Sequence, residues 1–457
     1  MSLFSPDGAA FIAKEYANMP FKTNHTPCFL IILSTLTSTM LWPVERSFGQ
    51  GAGAPSKSRV RQTPEERAVE KQKAIDLQNE LASIRQKNFG MLPEGDVSEV
   101  GKRYQAAFDG FREAAVSLNQ VQMTFHLSTK LTQAFKDQIN DQWQSALHKG
   151  HLAKENWLKV AAETFANDSK KYAVIGETLC AMMLTDVEQD RMDGWLEAAK
   201  AVVNSGKFEK EDVLRAASLV GYANSDFDFT EDCLVRSEKF HDANETKPKF
   251  VGEISSLREK WARELEFRKK EAEKNDNPQV EIITSKGRMV LELYEDSAPE
   301  TVKSFIYLIE HNFFSRKSFF RVEKHLVAQT GCEKGDGTGD AGYTIPSEAS
   351  LPDQRDHFRG SIAMALGSDA NGKVLPETGS SQVYFVFLPM SHLDGSYTVF
   401  GRIIEGQETI STLRVLNLAD PAQKKEGKQP DVILSAKVVR KRDTEYKPKI
   451  LAGKLPK

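Results

Sequence analysis

Cysteine is scarce in this chain of 457 residues, which contains only four: Cys28, Cys180, Cys233 and Cys332. No two of them have the CxxC spacing of a zinc or redox site, and the nine histidines add no zinc-ligand pattern. A disulfide framework and a structural zinc site are therefore not expected, and the sequence predicts neither a metal nor another cofactor.

An excess of charge of one sign is also missing. The chain has 61 Lys and Arg against 64 Asp and Glu, which gives a formal net charge of −3 at pH 7. Proteins that bind nucleic acid or an anionic membrane surface through charge usually carry a clear basic excess. We therefore expect no nucleic-acid partner.

Long hydrophobic runs are nearly absent, with one exception. Residues 28–42 form an uncharged, apolar segment of 15 residues, which is short for a bilayer span of about 20 residues. The segment follows Lys22 and His25 and precedes small-residue sites at 47–49 and 52–54. We interpret residues from about 19 to 49 as a secretory signal, which predicts an exported protein of the cell envelope or periplasm. A retained membrane anchor and a buried core helix are the alternatives, and a membrane is a partner only if the segment is retained.

The length of the chain suggests two to three domains, because a domain commonly contains about 150 residues. After the signal or anchor at 1–49, residues 50–95 combine a Gly/Pro/Ser-rich linker with a charged helix that begins at Thr63 and Pro64. We place a helical domain at 96–275, a second domain at 278–445 and a tail at 446–457.

Residues 97–270 have helical periodicity almost throughout and contain a single proline. The segment 156–162 is echoed at 194–200, and a weaker third copy follows at 219–234. This pattern resembles tetratricopeptide-type helix pairs, whose stacked units would offer a concave surface to a protein partner. The alternative is a helical bundle in which Trp157 and Trp195 are ordinary core anchors.

At Val280 the hydrophobic period changes from about 3.6 residues to 2. Residues 280–284 and 289–294 predict a hairpin, and a proline-led amphipathic helix follows from Ala298. Further strands are predicted at 319–328, 360–365, 382–388 and 398–404, with Gly-rich connections. Many short strands with few helices predict a closed barrel.

Short motifs in this second domain occur in the order found in one enzyme family. The segments 298–305, 319–322, 337–346, 359–365, 380–385 and 392–402 read APETVKSF, FFRV, GTGDAGYTIP, RGSIAMA, SSQVYF and HLDGSYTVFGR. Together they resemble a cyclophilin-type peptidyl-prolyl cis-trans isomerase over about residues 280–445. The resemblance implies an eight-stranded antiparallel β-barrel with a peptide groove on its outer face, and proline-containing polypeptides as clients. The predicted chain is thus multidomain, with an all-α helical domain before this barrel.

The resemblance also implies the residues of a site. Arg321 matches the catalytic arginine of the family, and Gln329 matches the amide that orients this arginine and meets the substrate backbone. The positions implied to bind substrate are Phe319, Leu326, Val327, Ala365, Leu366, Gln382, Tyr384, His392, Leu393 and Tyr397.

These residue types suit the chemistry of prolyl rotation. Turning an amide bond meets a barrier of about 18–20 kcal/mol, but no bond breaks and no proton has to move. A catalyst needs only to stabilise the twisted amide, whose nitrogen is pyramidal and basic, better than the planar one. A fixed guanidinium beside a dry apolar wall can do so without a general base.

Several positions depart from the family pattern. Leu326 and Val327 stand where phenylalanine and methionine are usual, Tyr384 replaces phenylalanine and Tyr397 replaces histidine. Leu366 replaces an asparagine, and the loop 367–379 is longer than usual. These changes predict retained but weaker or more selective activity. Two functions follow: an isomerase for exported proteins whose helical domain binds clients or a partner, or a weakly catalytic or non-catalytic peptide-binding scaffold built on the helical array.

Overall fold

The computed structural model describes residues 89–127, 133–240, 252–369 and 371–455. The predicted signal segment, the linker that follows it and the charged helix from Thr63 lie outside these ranges. Within them, no helix is both long and apolar enough to cross a bilayer.

Helices of very unequal length build the first half of the described chain. They are α1 (Glu99–Leu127), α2 (Gln133–Asn167), α3 (Ala173–Glu188), α4 (Leu196–Asn204), α5 (Glu211–Ala223), α6 (Phe227–Ser237) and α7 (Ile254–Lys274). The first two run antiparallel, because Arg103 near the start of α1 pairs with Glu163 near the end of α2 at 2.8 Å. The prediction of an all-α region is confirmed.

Two fully buried tryptophans anchor the helical core. Trp157 lies inside α2 and stacks on Phe111 of α1, with ring centroids 5.2 Å apart. Trp195 immediately precedes α4, and its indole nitrogen donates to Asp186 at 2.8 Å. The two echoed segments therefore occupy non-equivalent positions, one in a helix of 35 residues and the other at the start of a helix of nine. This arrangement favours the bundle with aromatic anchors over tetratricopeptide-type units.

A curled antiparallel sheet of nine strands forms the second half. Its members are β1 (Gln279–Thr284), β2 (Gly287–Leu293), β3 (Arg321–Glu323), β4 (Val327–Thr330), β6 (Ser361–Met364), β7 (Val383–Val386), β8 (Val399–Glu405), β9 (Leu416–Asn417) and β10 (Ile433–Arg440). They are ordered β10-β1-β2-β8-β6-β7-β4-β3-β9. A separate pair is formed by β5 (Tyr343–Thr344) and β11 (Ala452–Gly453).

The sheet curls until its two ends meet. Just before β3, the backbone N–H groups of Arg316 and Phe319 donate to the carbonyls of Ile433 and Asp431, each at 2.8 Å. This junction joins β3 to β10 and gives a circuit of eight strands, which confirms the antiparallel barrel as a fold class. The ninth strand, β9, has only two residues and pairs with β3.

The barrel helix α8 (Pro299–Glu310) agrees with its proline-led amphipathic pattern. The Glu348 carboxylate accepts the backbone N–H groups of Glu300 and Thr301 at 2.9 and 2.8 Å, and so satisfies donors that have no partner within the helix. Phe305 packs against Phe400 of β8, with ring centroids 5.2 Å apart. Two short helices, α9 (Glu408–Ser411) and α10 (Pro421–Lys425), follow β8 and β9.

The prediction of one strand over 319–328 is wrong. The segment forms β3 and β4 with a tight turn between them, in which His325 has a left-handed φ of 61° and the Leu326 N–H donates to the Glu323 carbonyl at 3.2 Å. Apolar residues continue through the turn, so hydrophobic periodicity does not reveal it.

Residues 446–455, predicted as part of a tail, pack against the barrel. Tyr446 is buried, and its hydroxyl donates to Glu295 at 2.7 Å. The strand β11 that follows pairs with β5. The described part of this segment is therefore integrated with the barrel.

The helix α7 joins the helical region to the barrel. The sequence predicts an exposed helix end and linker at 264–278, but Glu264 is buried and accepts Nε and Nη2 of Arg355, each at 2.8 Å. Arg355 also donates to Glu271 at 2.5 Å, and its guanidinium lies 3.6 Å from the centroid of the Tyr294 ring. The charged residues of this segment predicted exposure to solvent. The sequence does not reveal that Glu264 is paired, because Arg355 lies 91 residues further along the chain.

Candidate active site

The hairpin of β3 and β4 brings the two residues predicted to be catalytic together. Arg321 is the direct cross-strand partner of Gln329, and both residues are buried. Their spacing of eight residues suits this geometry, since three strand residues on each side and a short turn return the chain opposite its starting point.

The Arg321 guanidinium is held by a carboxylate that sequence reasoning missed. Its Nε donates to Oε1 of Glu323 at 2.8 Å, and Asn417 of β9 donates to the same oxygen at 3.3 Å. Because a guanidinium is planar, a contact at Nε fixes the plane in which its terminal nitrogens lie. The spacing of two residues along a strand, which puts both side chains on one face, was the available signal.

Gln329 engages a second amide of the predicted site. Its Nε2 donates to Oε1 of Gln382 at 2.9 Å. The Nε2 of Gln382 donates in turn to the carbonyls of Gly337 and Gly339, at 2.9 and 2.8 Å. The N–H groups of the same two glycines donate to the Cys332 sulfur at 3.2 and 3.3 Å. The amides thus fix the Gly-rich loop beside β4, while the orienting role of Gln329 stays a prediction.

The predicted proline pocket is lined by buried side chains. Leu326 and Val327 lie where the hairpin turn ends and β4 begins. Tyr384 lies on β7 opposite Gln329. Tyr397 packs edge-on against Tyr384, with ring centroids 6.0 Å apart. Leu393 is buried as well. The exposed fraction of these five residues is at most 5%. The wall is therefore dry, as the chemistry requires.

Phe319 is not placed with them, which corrects its prediction as a substrate contact. Its fully buried ring packs against Phe385 in the barrel core, with centroids 6.3 Å apart. Phe385 follows Tyr384 on β7, and successive strand side chains point to opposite faces of a sheet. Phe319 therefore belongs to the face opposite Tyr384.

The remaining predicted contacts surround the end of β6. The Ala365 N–H donates to the Gln382 carbonyl at 2.9 Å, and Leu366 follows it. The long loop from Gly367 is closed by a hydrogen bond from the Gly367 N–H to the Thr378 hydroxyl at 2.7 Å. His392 is exposed in a turn that leads to Leu393.

A buried histidine that the sequence did not single out reaches this pocket. His357 is fully buried and lies between Asp394, 2.8 Å from its Nδ1, and the Tyr384 hydroxyl, 2.9 Å from its Nε2. The sequence gives no local signal for the cluster, because its three members come from separate loops and strands.

The tyrosines of the pocket wall are neutral neighbours of Arg321. Burial raises the pKa of Tyr384 and of Tyr397 well above the usual value, and Arg321 offsets this only in part. Both phenols therefore stay protonated at neutral pH. In the described ranges, no cluster of three or more His, Cys, Asp or Glu could hold a metal ion.

The arrangement can stabilise a twisted prolyl amide. It combines an oriented guanidinium, amides that can bind a peptide backbone and a dry apolar wall within one hairpin and its neighbour strand. A guanidinium in such surroundings interacts more strongly with a developing lone pair than it would in water.

Comparison with known proteins agrees with this chemistry. Residues 279–438 match the model of the family described as cyclophilin type peptidyl-prolyl cis-trans isomerase/CLD. A peptidyl-prolyl cis-trans isomerase of Helicobacter pylori is 38% identical over 152 residues, which are 33% of this chain and 87% of that protein. Peptidyl-prolyl cis-trans isomerase B of Bacillus subtilis is 37% identical over 127 residues, 28% of this chain and 83% of that protein.

A crystal structure of a cyclophilin type peptidyl-prolyl cis-trans isomerase from Cryptosporidium parvum is 25% identical, with a TM-score of 0.31 over 36% of this chain and 99% of that one. The extent and identity of the curated relatives decide the family. Through its C-terminal domain, this chain belongs to the cyclophilin-type peptidyl-prolyl cis-trans isomerases.

Proposed function

We propose that this isomerase accelerates proline-limited folding of exported polypeptides, and that its helical region holds the client, or a partner carrying it, beside the site. The attachment of the helical region to the site hairpin carries the proposal. The Lys324 ammonium donates to the Glu188 carbonyl at 2.9 Å, and the His325 N–H donates to the Asp190 carboxylate at the same distance. Both contacts lie in the turn that leads into Leu326.

This proximity gives a tethered client an advantage. Uncatalysed prolyl isomerisation takes about 10–100 s at 25 °C, long enough to limit folding. A client held on the helices meets the site as an intramolecular partner, so its effective concentration there is set by the tether and not by the bulk solution. A slow catalyst then still acts within the lifetime of one encounter.

One feature supports an exported location, and a second is compatible with it. The apolar segment 28–42 has the character of a signal. In addition, Cys180 and Cys233 are buried, and burial raises the pKa of each thiol to about 12. Buried, protonated thiols react slowly, so they can persist unpaired in an oxidising compartment.

A second function, the holding of proline-containing segments with slow turnover, is favoured by the burial of the site. Arg321 is 8% exposed and Tyr397 is 3% exposed. A proline ring can reach such residues only after side chains move, and that movement lowers the observed rate.

Competition between substrates tests the helical role. The full chain is assayed on an unfolded protein whose refolding is limited by proline and, separately, on a short X-Pro peptide. An unfolded polypeptide without proline is added to both. We expect it to slow catalysis of protein refolding while the short-peptide rate stays unchanged. Equal effects on both assays, or no effect on either, would contradict client binding outside the barrel.

Location is tested by cell fractionation and by sequencing the mature N-terminus. A soluble envelope product that begins near residue 50 supports a cleaved signal. An intact, membrane-bound chain supports the anchor, and a soluble intact chain in the cell interior contradicts export.

A further inference from the structure

A series of hydrogen bonds, buried except at its outer end, runs from the helical region to the wall of the isomerase site. On α7, the Lys260 ammonium donates to Oδ2 of Asp394 at 2.6 Å. Oδ1 of Asp394 lies 2.8 Å from Nδ1 of His357, and Nε2 of His357 lies 2.9 Å from the Tyr384 hydroxyl. The side chain of His357 and the whole of Tyr384 are inaccessible to solvent.

The direction of the hydrogen bonds at Asp394 follows from its charge. Burial alone would raise the pKa of this carboxyl, but hydrogen bonds from His357 and Lys260 outweigh burial and lower it. A carboxylate can only accept, so Nδ1 of His357 carries a proton. Nε2 of His357 is then left to pair with the Tyr384 hydroxyl, 2.9 Å away. The backbone N–H of His357 donates to the same carboxylate at 2.9 Å, which fixes the ring further.

This pairing fixes where the Tyr384 ring lies. The rings of Tyr384 and His357 are nearly parallel, with an angle of 5° between their planes. Tyr384 faces Gln329 across the β4–β7 ladder and meets Tyr397 edge-on. Because its hydroxyl is held by His357, the ring is fixed at one end by a hydrogen bond and at the other by the backbone.

We propose that His357 is a positioning residue of the isomerase site, acting through Tyr384 to hold the wall that receives the proline ring. The series of hydrogen bonds begins at Lys260, so α7 helps to hold Tyr384 in place. This inference goes beyond the proposed role of the helical region in client binding, since it concerns the isomerisation of any X-Pro peptide.

Two substitutions separate this role from general support of the fold. In His357→Gln the side-chain amide reaches the position of Nε2 and can still pair with the Tyr384 hydroxyl. In His357→Asn the shorter amide reaches only the position of Nδ1. It can keep the hydrogen bond to Asp394 but loses the one to Tyr384. We expect His357→Asn to raise KM for a short X-Pro peptide about tenfold with a smaller change in kcat, because a misplaced wall weakens substrate binding. His357→Gln should keep KM within about threefold of the wild type.

Non-additivity supplies the second readout. Tyr384→Phe removes the hydroxyl that His357 acts through, so adding His357→Asn to it should change KM by less than about twofold. Tyr343→Phe is the matched control, since it deletes another buried hydroxyl of the barrel, one that bonds to Ser304 at 2.7 Å. It should lower stability without changing KM.

The contribution of α7 is tested on the same peptide. Lys260→Met removes the ammonium from Asp394, and we expect a rise in KM of about two- to threefold. Arg258→Met on the same helix is the control, because Arg258 pairs with Asp228 and Glu231 of α6 and not with the barrel.

These outcomes decide the inference in either direction. A higher KM in His357→Gln than in His357→Asn, or full additivity with Tyr384→Phe, would overturn it. If His357→Asn does not fold, His357→Gln and Tyr384→Phe still test the proposal. A KM raised more than about threefold in His357→Gln contradicts it. Wild-type activity of Arg321→Ala would instead show that the activity itself lies elsewhere.

Discussion

Asp190 and His325 join the helical region to the hairpin that carries the isomerase site. The His325 N–H donates to both carboxylate oxygens of Asp190, at 3.1 and 2.9 Å, and both residues have a left-handed φ of about 60°. Two turns in unfavourable backbone conformations are thus held against each other. We expect the position of β3 and β4 relative to the helices to depend in part on this contact.

Replacing Asp190 tests that dependence. Asp190→Ala removes both acceptors and leaves the His325 N–H without a charged partner. We therefore expect the free energy of unfolding to fall by about 2–4 kcal/mol and kcat/KM to fall several-fold. Denaturant unfolding and a peptide assay measure the two effects. Ser225→Ala is the control, because Ser225 has nearly the same φ, 59°, but lies within the helical region. If both variants lose stability and only stability, the contact has no part in activity.

Arg321→Ala tests the catalytic prediction. Loss of a preorganised charge aimed at the transition state commonly costs about 100-fold or more in kcat, and we expect a loss of that size in a protease-coupled assay on a short X-Pro peptide. Arg402→Ala is the matched control, since Arg402 also lies on a barrel strand. Its guanidinium donates to Glu292 at 2.9 Å and is not part of the site. Equal rates for the wild type and Arg321→Ala would remove Arg321 from the mechanism.

The docking of α7 is tested by Arg355→Met. Arg355 is fully buried and pairs with the buried Glu264, so its loss leaves that carboxylate with Arg268 as its remaining salt-bridge partner and without the two hydrogen bonds from Arg355. We expect a destabilisation of about 3–5 kcal/mol, seen as a lower denaturant midpoint. The double variant Arg355→Met with Glu264→Leu should recover much of that loss, because it also removes the buried carboxylate that has lost its main partner. A double variant less stable than Arg355→Met alone would argue against this account.

Stability should depend on pH through Glu408, which lies between the helical region and the barrel. Burial, with the nearby carboxylates of Asp193 and Glu155, raises the pKa of Glu408 from 4.5 to about 7. Between these values the folded protein keeps a proton that the unfolded chain has lost, so stability falls as pH rises. Lys154 opposes this shift.

The variant Glu408→Gln isolates the effect, because glutamine imitates the protonated acid. We expect it to unfold like the wild type near pH 4.5 and to be more stable by roughly 1–3 kcal/mol above pH 7, a discounted conversion of the pKa shift. Burial lowers the pKa of His151, which lies 4.0 Å from Glu408, to about 3, so this histidine stays neutral over the tested pH range. Parallel stability curves over this pH range would refute the assignment.

The sequence was informative where the evidence is local. Hydrophobic periods of about 3.6 and 2 separate the helices from the strands, and the spacing of Arg321 and Gln329 places them opposite each other in a hairpin. The motifs from Ala298 to Arg402 were sufficient to identify the family. The helical echo was misleading, because amphipathic helices of any bundle repeat similar aromatic spacings.

What the sequence could not supply depends on contacts between distant segments. Phe319 belongs to the barrel core because of how the chain enters β3, and Glu264 is buried because Arg355 meets it. His357 becomes part of the site only when Asp394 and Tyr384 reach it from either side. The sequence alone therefore determined the fold class, the enzyme family and a catalytic arginine to test. Only the tertiary structure decided which charges are buried and which residues hold the pocket, because burial and pairing are properties of neighbours in space.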